Sequence, residues 1–379
     1  MNKNWSVAND VVKMLEFAGF EAVIVGGAVR DYILGRPFHD VDVATNALPE
    51  QVKQVFKKTF DVGIEHGTIL VADFHEPVEV TTYRAESEYV DYRRPEQVKF
   101  VLSLEEDLKR RDFTMNAMAM NQQGELIDLY EGKIDIERKQ IRAVGDPYER
   151  FQEDALRMLR AIRFQAQLGF TIECKTFDAM KQLGHLIQHI SIERIQMELT
   201  KSFLGPHVKE AMHAIQQTNM QHYLIGQFNP LHWENKVFHN EEDAWAYFYV
   251  VNDQDDLLTK YKSSNKRKAY GKTVKALVTK TEWDLLTYFE HDEKTLLFAN
   301  EICNRDTSEA IQEKKRQLPI QAVQDLAVSG KEIVEWSQQN KGPWVKERLN
   351  ALIYAVLTKE VANNPSSIKE WYDAAYNEG

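Results

Sequence analysis

The pattern of apolar residues changes at Asp146-Pro147, and this change constrains the fold more than any other feature. Before it, short β-rich runs such as residues 21–25 alternate with segments of helical spacing. From Phe151 onward, apolar residues recur at helical spacing and convincing strands disappear. Because Asp-Pro ends one element and starts another, we expect a boundary here. The sequence therefore predicts an α+β head followed by an all-helical remainder.

The composition is that of a globular chain. Of its 379 residues, 43% are hydrophobic and 28% are charged, which excludes a disordered or collagen-like chain. At about 150 residues per domain, the length predicts two or three domains. No apolar run approaches the ~18 residues of a membrane span, so no membrane partner is expected. Two distant cysteines, Cys174 and Cys303, and the lack of an apolar leader in residues 1–6 favour a cytoplasmic location.

Periodicity predicts the individual elements. In the head we expect strands at 21–25, 40–44, 68–74 and 78–83, the last two forming a hairpin, and helices at 5–17, 28–34 and 49–58. In the remainder we expect helices at 153–168, 191–203, 242–251, 272–278, 319–328, 346–357 and 367–376.

Two aspartates are the first chemical signal. Asp40 and Asp42 alternate with apolar residues, so a strand would place both carboxylates on one face. Like charges held together repel unless a cation lies between them, and Mg²⁺ prefers oxygen ligands. Two metals spanned by such a pair form the clamp for in-line displacement at phosphorus. Taken alone, the spacing is also typical of a solvated strand face.

A glycine turn precedes the aspartates. Gly26 and Gly27 follow a strand, where backbone N–H groups approach a phosphate and the next helix begins. Arg30 adds a fork of donors for phosphate oxygens. The glycine spacing fits neither the dinucleotide fingerprint nor the P-loop. Together, these features favour a triphosphate held beside a metal.

A third carboxylate is expected from the outer strand of the hairpin. Glu79 occupies that strand and is the candidate, while Glu76 and Asp73 are nearby competitors.

Residues 26–31, followed by Asp40 and Asp42, resemble the signature of the DNA-polymerase-beta-like nucleotidyltransferases, in the branch of class II tRNA nucleotidyltransferases and bacterial poly(A) polymerases. Ordered blocks of resemblance cover roughly residues 20–205. The resemblance implies a polymerase-beta-like head with an antiparallel or mixed sheet at 1–145. A helical neck that reads the nucleobase would follow at 146–205, and a helical body and tail that binds tRNA at 206–379.

The next family block begins with an arginine pair. Arg110 and Arg111 beside Asp112 are by themselves typical of a surface salt bridge. The resemblance assigns Arg111 to the nucleotide, with Gly27 and Arg30, and it assigns Asp112 and Asn116 to orienting the ribose or a loop.

A run of E-D-x-x-R follows in the predicted neck. On one helix, Asp154 and Arg157 would be neighbours at i, i+3 and could form an ion pair. The resemblance implies that they read the incoming base without a nucleic-acid template. A carboxylate accepts from the amino groups of cytosine and adenine, whereas guanine and uracil present a carbonyl there. Arg160 and Arg163 are implied to lie near the base or the phosphates.

Candidate RNA contacts lie further along. The formal net charge of -11 argues against a polyanionic partner, but residues 260–280 are locally basic. The basic residues there are Lys260, Lys262, Lys266, Arg267, Lys268, Lys272, Lys275 and Lys280, interleaved with Tyr261 and Tyr270. A solvated loop and helix face is the alternative. The family also carries a flexible loop at the position of residues 86–100, around Tyr92-Arg93-Arg94-Pro95.

The resemblance implies addition of C, C and A to the 3′ end of tRNA from CTP and ATP, with release of pyrophosphate and with Mg²⁺ as cofactor. A bacterial poly(A) polymerase and a partial enzyme that adds only C residues remain alternatives. A non-catalytic RNA-binding protein is a third, against which the intact pair Asp40 and Asp42 argues. The sequence leaves the oligomeric state open, a homodimer included.

Overall fold

A computed structural model describes residues 3–38, 40–63, 67–86, 89–90, 94–95 and 98–376 of the chain. These residues form two compact units. The first comprises the described residues up to Ala244 together with Asp256–Ser263. The second comprises Trp245–Asp255 and the described residues from Ser264 onward. Of the predicted flexible loop, residues 87–88, 91–93 and 96–97 lie outside the described part of the chain.

All the described strands lie in the first unit. In chain order they are β1 Ala22–Val25, β2 Asp42–Thr45, β3 Thr59–Gly63, β4 Thr68–Val71, β5 Val78–Thr82, β6 Arg84–Glu86, β7 Tyr89–Val90, β8 Arg94–Pro95, β9 Val98–Phe100, β10 Ala119–Met120, β11 Leu126–Ile127, β12 Gln140–Ile141 and β13 Thr171–Ile172.

Helices make up most of the rest of the described chain. Up to residue 217 they are α1 Lys3–Phe17, α2 Gly27–Ile33, α3 Pro49–Val55, α4 Leu104–Lys109, α5 Gly132–Glu137, α6 Pro147–Glu153, α7 Leu156–Leu168, α8 Cys174–Leu183, α9 Ile192–Phe203 and α10 Val208–Gln217. Beyond it they are α11 Glu241–Asn252, α12 Leu257–Lys260, α13 Asn265–Thr279, α14 Leu285–Glu290, α15 Glu293–Cys303, α16 Ser308–Arg316, α17 Gly330–Ser337, α18 Trp344–Leu357 and α19 Pro365–Tyr376.

A seven-stranded mixed sheet organises the head, in the order β11-β10-β1-β2-β5-β4-β3. Strands β2 and β5 are parallel, and their other neighbours in this sheet are antiparallel. The predicted hairpin of β4 and β5 is confirmed. The prediction that Glu79 lies on an outer strand is wrong, because β5 is held between β4 and β2. The alternating buried residues Val78 and Val80 suit this interior position.

The α+β fold class is confirmed, since a sheet-containing head precedes a helical remainder. The core of the head includes Val23, Val25, Ala44 and Leu108, from both sheet and helix. In the described chain after Phe151, the short segment β13 is the one strand, and it pairs in parallel with β12.

Two helix predictions are wrong for a shared reason. The expected helix at 153–168 is broken at Asp154, which has an extended backbone and whose carboxylate accepts the Leu156 N–H at 3.1 Å. At 319–328 only a short 3₁₀ turn forms, because Asp325 accepts the N–H groups of Gln321 and Ala322, each at 2.9 Å. Aspartate side chains compete for backbone donors that a continuous helix would use.

Within the described residues, no helix is both long enough and apolar enough to span a bilayer.

Candidate active site

A cleft of about 890 Å³ in the first unit collects all the site residues predicted from the sequence. They are Gly27, Arg30, Asp40, Asp42, Glu79, Arg111, Asp154, Arg157, Arg160 and Arg163. Among the described lining residues, nine are arginine or lysine and six are aspartate or glutamate. The cleft is therefore locally positive in a chain of net charge -11, which makes it suitable for a polyanionic ligand.

Strand pairing brings two of the carboxylates together. Strand β2 begins at Asp42, and the parallel register pairs Val43 with Val80. One residue earlier on each strand come Asp42 and Glu79, so both side chains face the cleft. The predicted strand began at Asp40, but this residue lies two positions before β2 and reaches the cleft from the preceding segment.

The carboxylate of Asp42 lies close to other carboxylates of the cleft. Although Asp42 keeps solvent-exposed surface, desolvation raises its pKa to about 6. The nearby carboxylates of Glu79 and Asp40 also raise this pKa, and the guanidinium of Arg111 lowers it. A cation beside Asp42 would offset the repulsion.

The carboxylate oxygens of the cleft are the kind of hard donor that Mg²⁺ prefers. Among the described residues, no group of three or more His, Cys, Asp or Glu side chains is arranged as a metal site. Mg²⁺ commonly takes only one or two carboxylates and completes its shell with water and substrate phosphates. Asp40 and Asp42 supply hard oxygen donors close to a further carboxylate, that of Glu79, so they fit a metal that arrives with a phosphate-bearing substrate.

Glycine is required next to the arginine that faces these carboxylates. Gly26 has φ +76°, and a Cβ built on it would lie 3.0 Å from Nη1 of Arg111. A side chain at position 26 would therefore be strained and would displace the guanidinium. The structure thus points to Gly26 as well as the predicted Gly27, which begins α2.

A buried acid that the sequence reasoning missed holds the arginine pair. The side chain of Asp107 is 1% exposed and accepts from Arg110 at 2.7 Å and from Arg111 at 3.1 Å. The Nε of Arg111 is buried without a hydrogen-bond partner in the described chain. The i, i+3 and i, i+4 spacing of these residues was a signal for the contact.

A second acid connects Arg30 and Arg160. Asp112 accepts from Nη2 of Arg160 at 2.6 Å and from Asn116 at 3.1 Å, and Asn116 accepts from Arg30 at 2.7 Å. Burial alone would raise the pKa of Asp112, but Arg160 and the hydrogen bonds from Asn116 and Phe113 lower it to about 2. Asp112 is therefore ionised at neutral pH and orients two arginines of the cleft.

An aromatic ring lies close to three of the arginines, and it too was missed. The guanidinium carbons of Arg30, Arg160 and Arg163 lie 5.2, 5.8 and 4.3 Å from the ring centroid of Phe164. Such contacts stabilise cations by about 0.5–2 kcal/mol each. The ring thus helps like charges to share one wall of the cleft.

The predicted base-reading residues come from separate segments. Because α6 ends at Glu153, Asp154 and Arg157 are not neighbours on one helix, and that prediction is wrong. Asp154 accepts from Arg194 of α9 at 2.8 Å. Arg157 donates to Glu153 at 2.7 Å and to the backbone oxygen of Arg110 at 3.0 Å. Both side chains are thus held in place at the cleft by their own contacts.

The fold and this cleft define a nucleotidyltransferase. Residues 22–142 match the family model described as the poly A polymerase head domain. Residues 169–231 match a model described as a probable RNA and SrmB-binding site of polymerase A, and residues 236–372 match tRNA nucleotidyltransferase domain 2.

The chain is similar over nearly its whole length to proteins with one shared name. It is 41% identical to the CCA-adding enzyme of Bacillus cytotoxicus and 40% identical to that of Bacillus mycoides, covering 98% and 96% of this chain and 98% and 97% of those proteins. It superposes with a TM-score of 0.88 and 36% identity on the crystal structure of the Bacillus stearothermophilus CCA-adding enzyme in complex with CTP, covering 100% of this chain and 98% of that one. The chain belongs to the family of CCA-adding enzymes.

Proposed function

We propose that this enzyme adds C, C and A to the 3′ end of tRNA, using CTP and ATP and releasing pyrophosphate. The observation that carries the proposal is the cleft itself, in which a carboxylate cluster faces a wall of arginines. The names of the relatives and the CTP complex of one of them support this choice of reaction and substrate.

The proposed roles follow from position and charge. Asp40 and Asp42 would hold two Mg²⁺ ions, which when bound lower the pKa of the primer 3′-hydroxyl and stabilise the leaving pyrophosphate. In the transfer, the 3′-hydroxyl gives up its proton to water, and its oxygen bonds to the α-phosphorus as the bond to the pyrophosphate oxygen breaks. Arg30 and Arg111 would bind the triphosphate beside the glycine turn, and Glu79 would complete the carboxylate set.

Base choice would depend on Asp154 and Arg157. The Asp154 carboxylate accepts from Arg194 and from a backbone N–H, but a carboxylate has about four acceptor positions. It can therefore also accept from the amino group of cytosine or adenine. The contacts of Arg157 with Glu153 and with a backbone oxygen orient its remaining donors. Arg160 and Arg163 would extend the positive wall towards the base or the phosphates.

Fewer residues of the basic stretch 260–280 are candidates for tRNA contacts than the sequence predicted. Four lysines of the basic stretch form ion pairs with acids: Lys260 with Asp256, Lys262 with Glu193, Lys275 with Asp253 and Asp255, and Lys280 with Asp284. Tyr261 is fully buried, so its predicted place on the RNA-facing surface is wrong. Lys266 and Lys272, exposed on α13, are the better candidates for phosphate contacts.

The assay that tests the function uses tRNA transcripts ending before, within and after CCA, with each labelled nucleotide supplied separately. Products are resolved at single-nucleotide steps. We expect C to be added to transcripts that end before CCA or after its first C. We expect A to be added only to transcripts that end in both C residues, and no nucleotide to be added to the complete CCA end. Long A tails would identify a poly(A) polymerase, and a stop after C-C would identify a partial enzyme.

A further inference from the structure

The buried carboxylate of Asp107 has no role in the reaction as described so far, although it touches the arginine pair of the cleft. It lies on the short helix α4, whose residues Leu104 and Leu108 are buried in the core of the head. The backbone that carries Asp107 is therefore anchored on both sides of the carboxylate. Such anchoring allows a side chain to hold its neighbours in one geometry.

Asp107 contacts two segments that line the cleft. Its Oδ1 accepts from Nε and Nη2 of Arg110 at 3.0 and 2.7 Å, and its Oδ2 accepts from Arg111 at 3.1 Å. Oδ1 also accepts the backbone N–H of Arg84 at 3.4 Å. Arg84 begins β6, which pairs with β9 at Phe100.

The charge of Asp107 is maintained by these contacts. Burial alone would raise its pKa, but the guanidinium groups of Arg110 and Arg111 more than offset burial and lower it. The carboxylate is thus ionised and serves both arginines at once. Without it, Arg111 would lose its acceptor while its Nη1 still lies against Gly26.

We propose that Asp107 is a positioning residue for nucleotide binding, which holds Arg111 against the glycine turn in the orientation that receives the triphosphate. It acts through Arg111 and does not touch the nucleotide. The inference rests on the proposed function, because it takes Arg111 as a triphosphate contact.

The test measures equilibrium binding of CTP and of CMP to the full-length chain, so that no turnover is needed. We compare Asp107→Asn, Arg111→Ala and the double variant. Loss of an acceptor for a charged donor predicts that Asp107→Asn weakens CTP binding about tenfold and CMP binding less than about twofold. Because both changes act on one contact, the double variant should bind CTP no more weakly than Arg111→Ala alone.

Two further variants separate positioning from a general loss of stability. Asp135→Asn removes an equally buried carboxylate that pairs with Arg142 at 2.8 Å and does not line the cleft. It should leave both affinities within about twofold of the parent chain. Asp107→Glu keeps the charge, so its affinity for CTP should lie between that of the parent chain and that of Asp107→Asn. This variant also provides a test if Asp107→Asn does not fold.

Three results would overturn the inference: unchanged CTP binding by Asp107→Asn, equal weakening of CTP and CMP, or additive losses in the double variant. If the parent chain binds CTP no more tightly than CMP, the triphosphate role of Arg111 fails and the inference fails with it. If the parent adds C, C and A normally while Asp107→Asn binds like the parent, the inference alone is wrong.

Discussion

Arg160 donates from Nε to Oδ2 of Asp112 across 2.7 Å, although 48 residues separate the two in sequence. The contact joins α7 to the segment that follows the arginine pair of the head. Because Asp112 also accepts from Asn116, which in turn accepts from Arg30, one acid holds Arg160 directly and Arg30 through Asn116. Charge pairing inside the cleft thus fixes side chains that the proposed reaction uses.

The burial of Asp112 beside Arg160 should make the stability of the chain depend on pH. The pKa of Asp112 is about 2 in the folded chain, against a usual 3.8. Because the carboxyl has a lower pKa in the folded chain than in the unfolded chain, its ionised form stabilises the folded state at pH values above the unfolded pKa. This contribution to the free energy of unfolding disappears as the pH falls from about 4 through 2. It amounts to on the order of 2 kcal/mol. Denaturant unfolding between pH 4 and 2 should therefore show a shallower loss of stability for Asp112→Asn than for the parent.

The control for that measurement is Asp10→Asn, because Asp10 and its partner Lys13 are about half exposed and their pair contributes little. Its pH profile should follow that of the parent. A parallel profile for Asp112→Asn as well would show that Asp112 has no special part in acid unfolding.

Base choice should relax when Arg157 is removed. Arg157→Ala takes away a donor that we propose contacts the base, and an unmatched polar group costs about 1–3 kcal/mol. The preference for CTP and ATP over GTP and UTP should fall by roughly fivefold to 150-fold, measured as ratios of kcat/KM. Arg150→Ala is the matched control, because Arg150 also pairs with Glu153, at 2.9 Å, but does not line the cleft. Equal selectivity in both variants would remove Arg157 from base reading.

A side chain at Gly26 should weaken CTP binding by moving Arg111. Gly26→Ala places a Cβ 3.0 Å from Nη1 of Arg111, and we expect a loss of about tenfold in affinity by titration with CTP. Gly124→Ala also substitutes a glycine of positive φ, but its Cβ would meet nothing within 4 Å. The control variant should bind CTP like the parent. Equal losses in the two variants would attribute the effect to backbone strain alone.

Exposed lysines on α13 should contribute to the salt dependence of tRNA binding. Removing one phosphate contact lowers the slope of log K against log salt by about 1. We expect that change for Lys266→Ala and for Lys272→Ala in binding titrations over a range of salt concentrations. Lys275→Ala serves as the control on the same helix, because Lys275 pairs with Asp253 and Asp255 at 2.7 and 2.8 Å. An unaltered slope in all three variants would exclude this face of α13 from the interface.

Much of the fold could be predicted because its signals are local. Alternation predicted the strands around Asp42 and Glu79, and helical spacing predicted helices such as α9 and α18 with small errors in their ends. The breaks at Asp154 and near Asp325 were missed, because a side chain that accepts a nearby backbone N–H leaves the apolar spacing unchanged.

The parts of the site that were missed depend mainly on long-range contacts. The pairing of Arg163 with Glu198 at 3.0 Å and the contact of Arg30 with the ring of Phe164 join positions that no sequence period relates. Asp107 is different, because its spacing to Arg110 and Arg111 was a readable signal of local pairing. The predicted divisions at residues 145 and 205, and the roles assigned to the site residues, stay predictions.

In the proposed reaction, nucleotidyl transfer depends on the carboxylates of Asp40 and Asp42 beside the glycine turn. Single-turnover incorporation by Asp42→Ala, measured on tRNA transcripts with labelled CTP or ATP and alongside tRNA binding by the same protein, tests it most directly. We expect incorporation of both nucleotides to fall by at least about a thousandfold, with tRNA affinity within about twofold of the parent chain. Substantial incorporation by an Asp42→Ala protein that binds tRNA normally would contradict it.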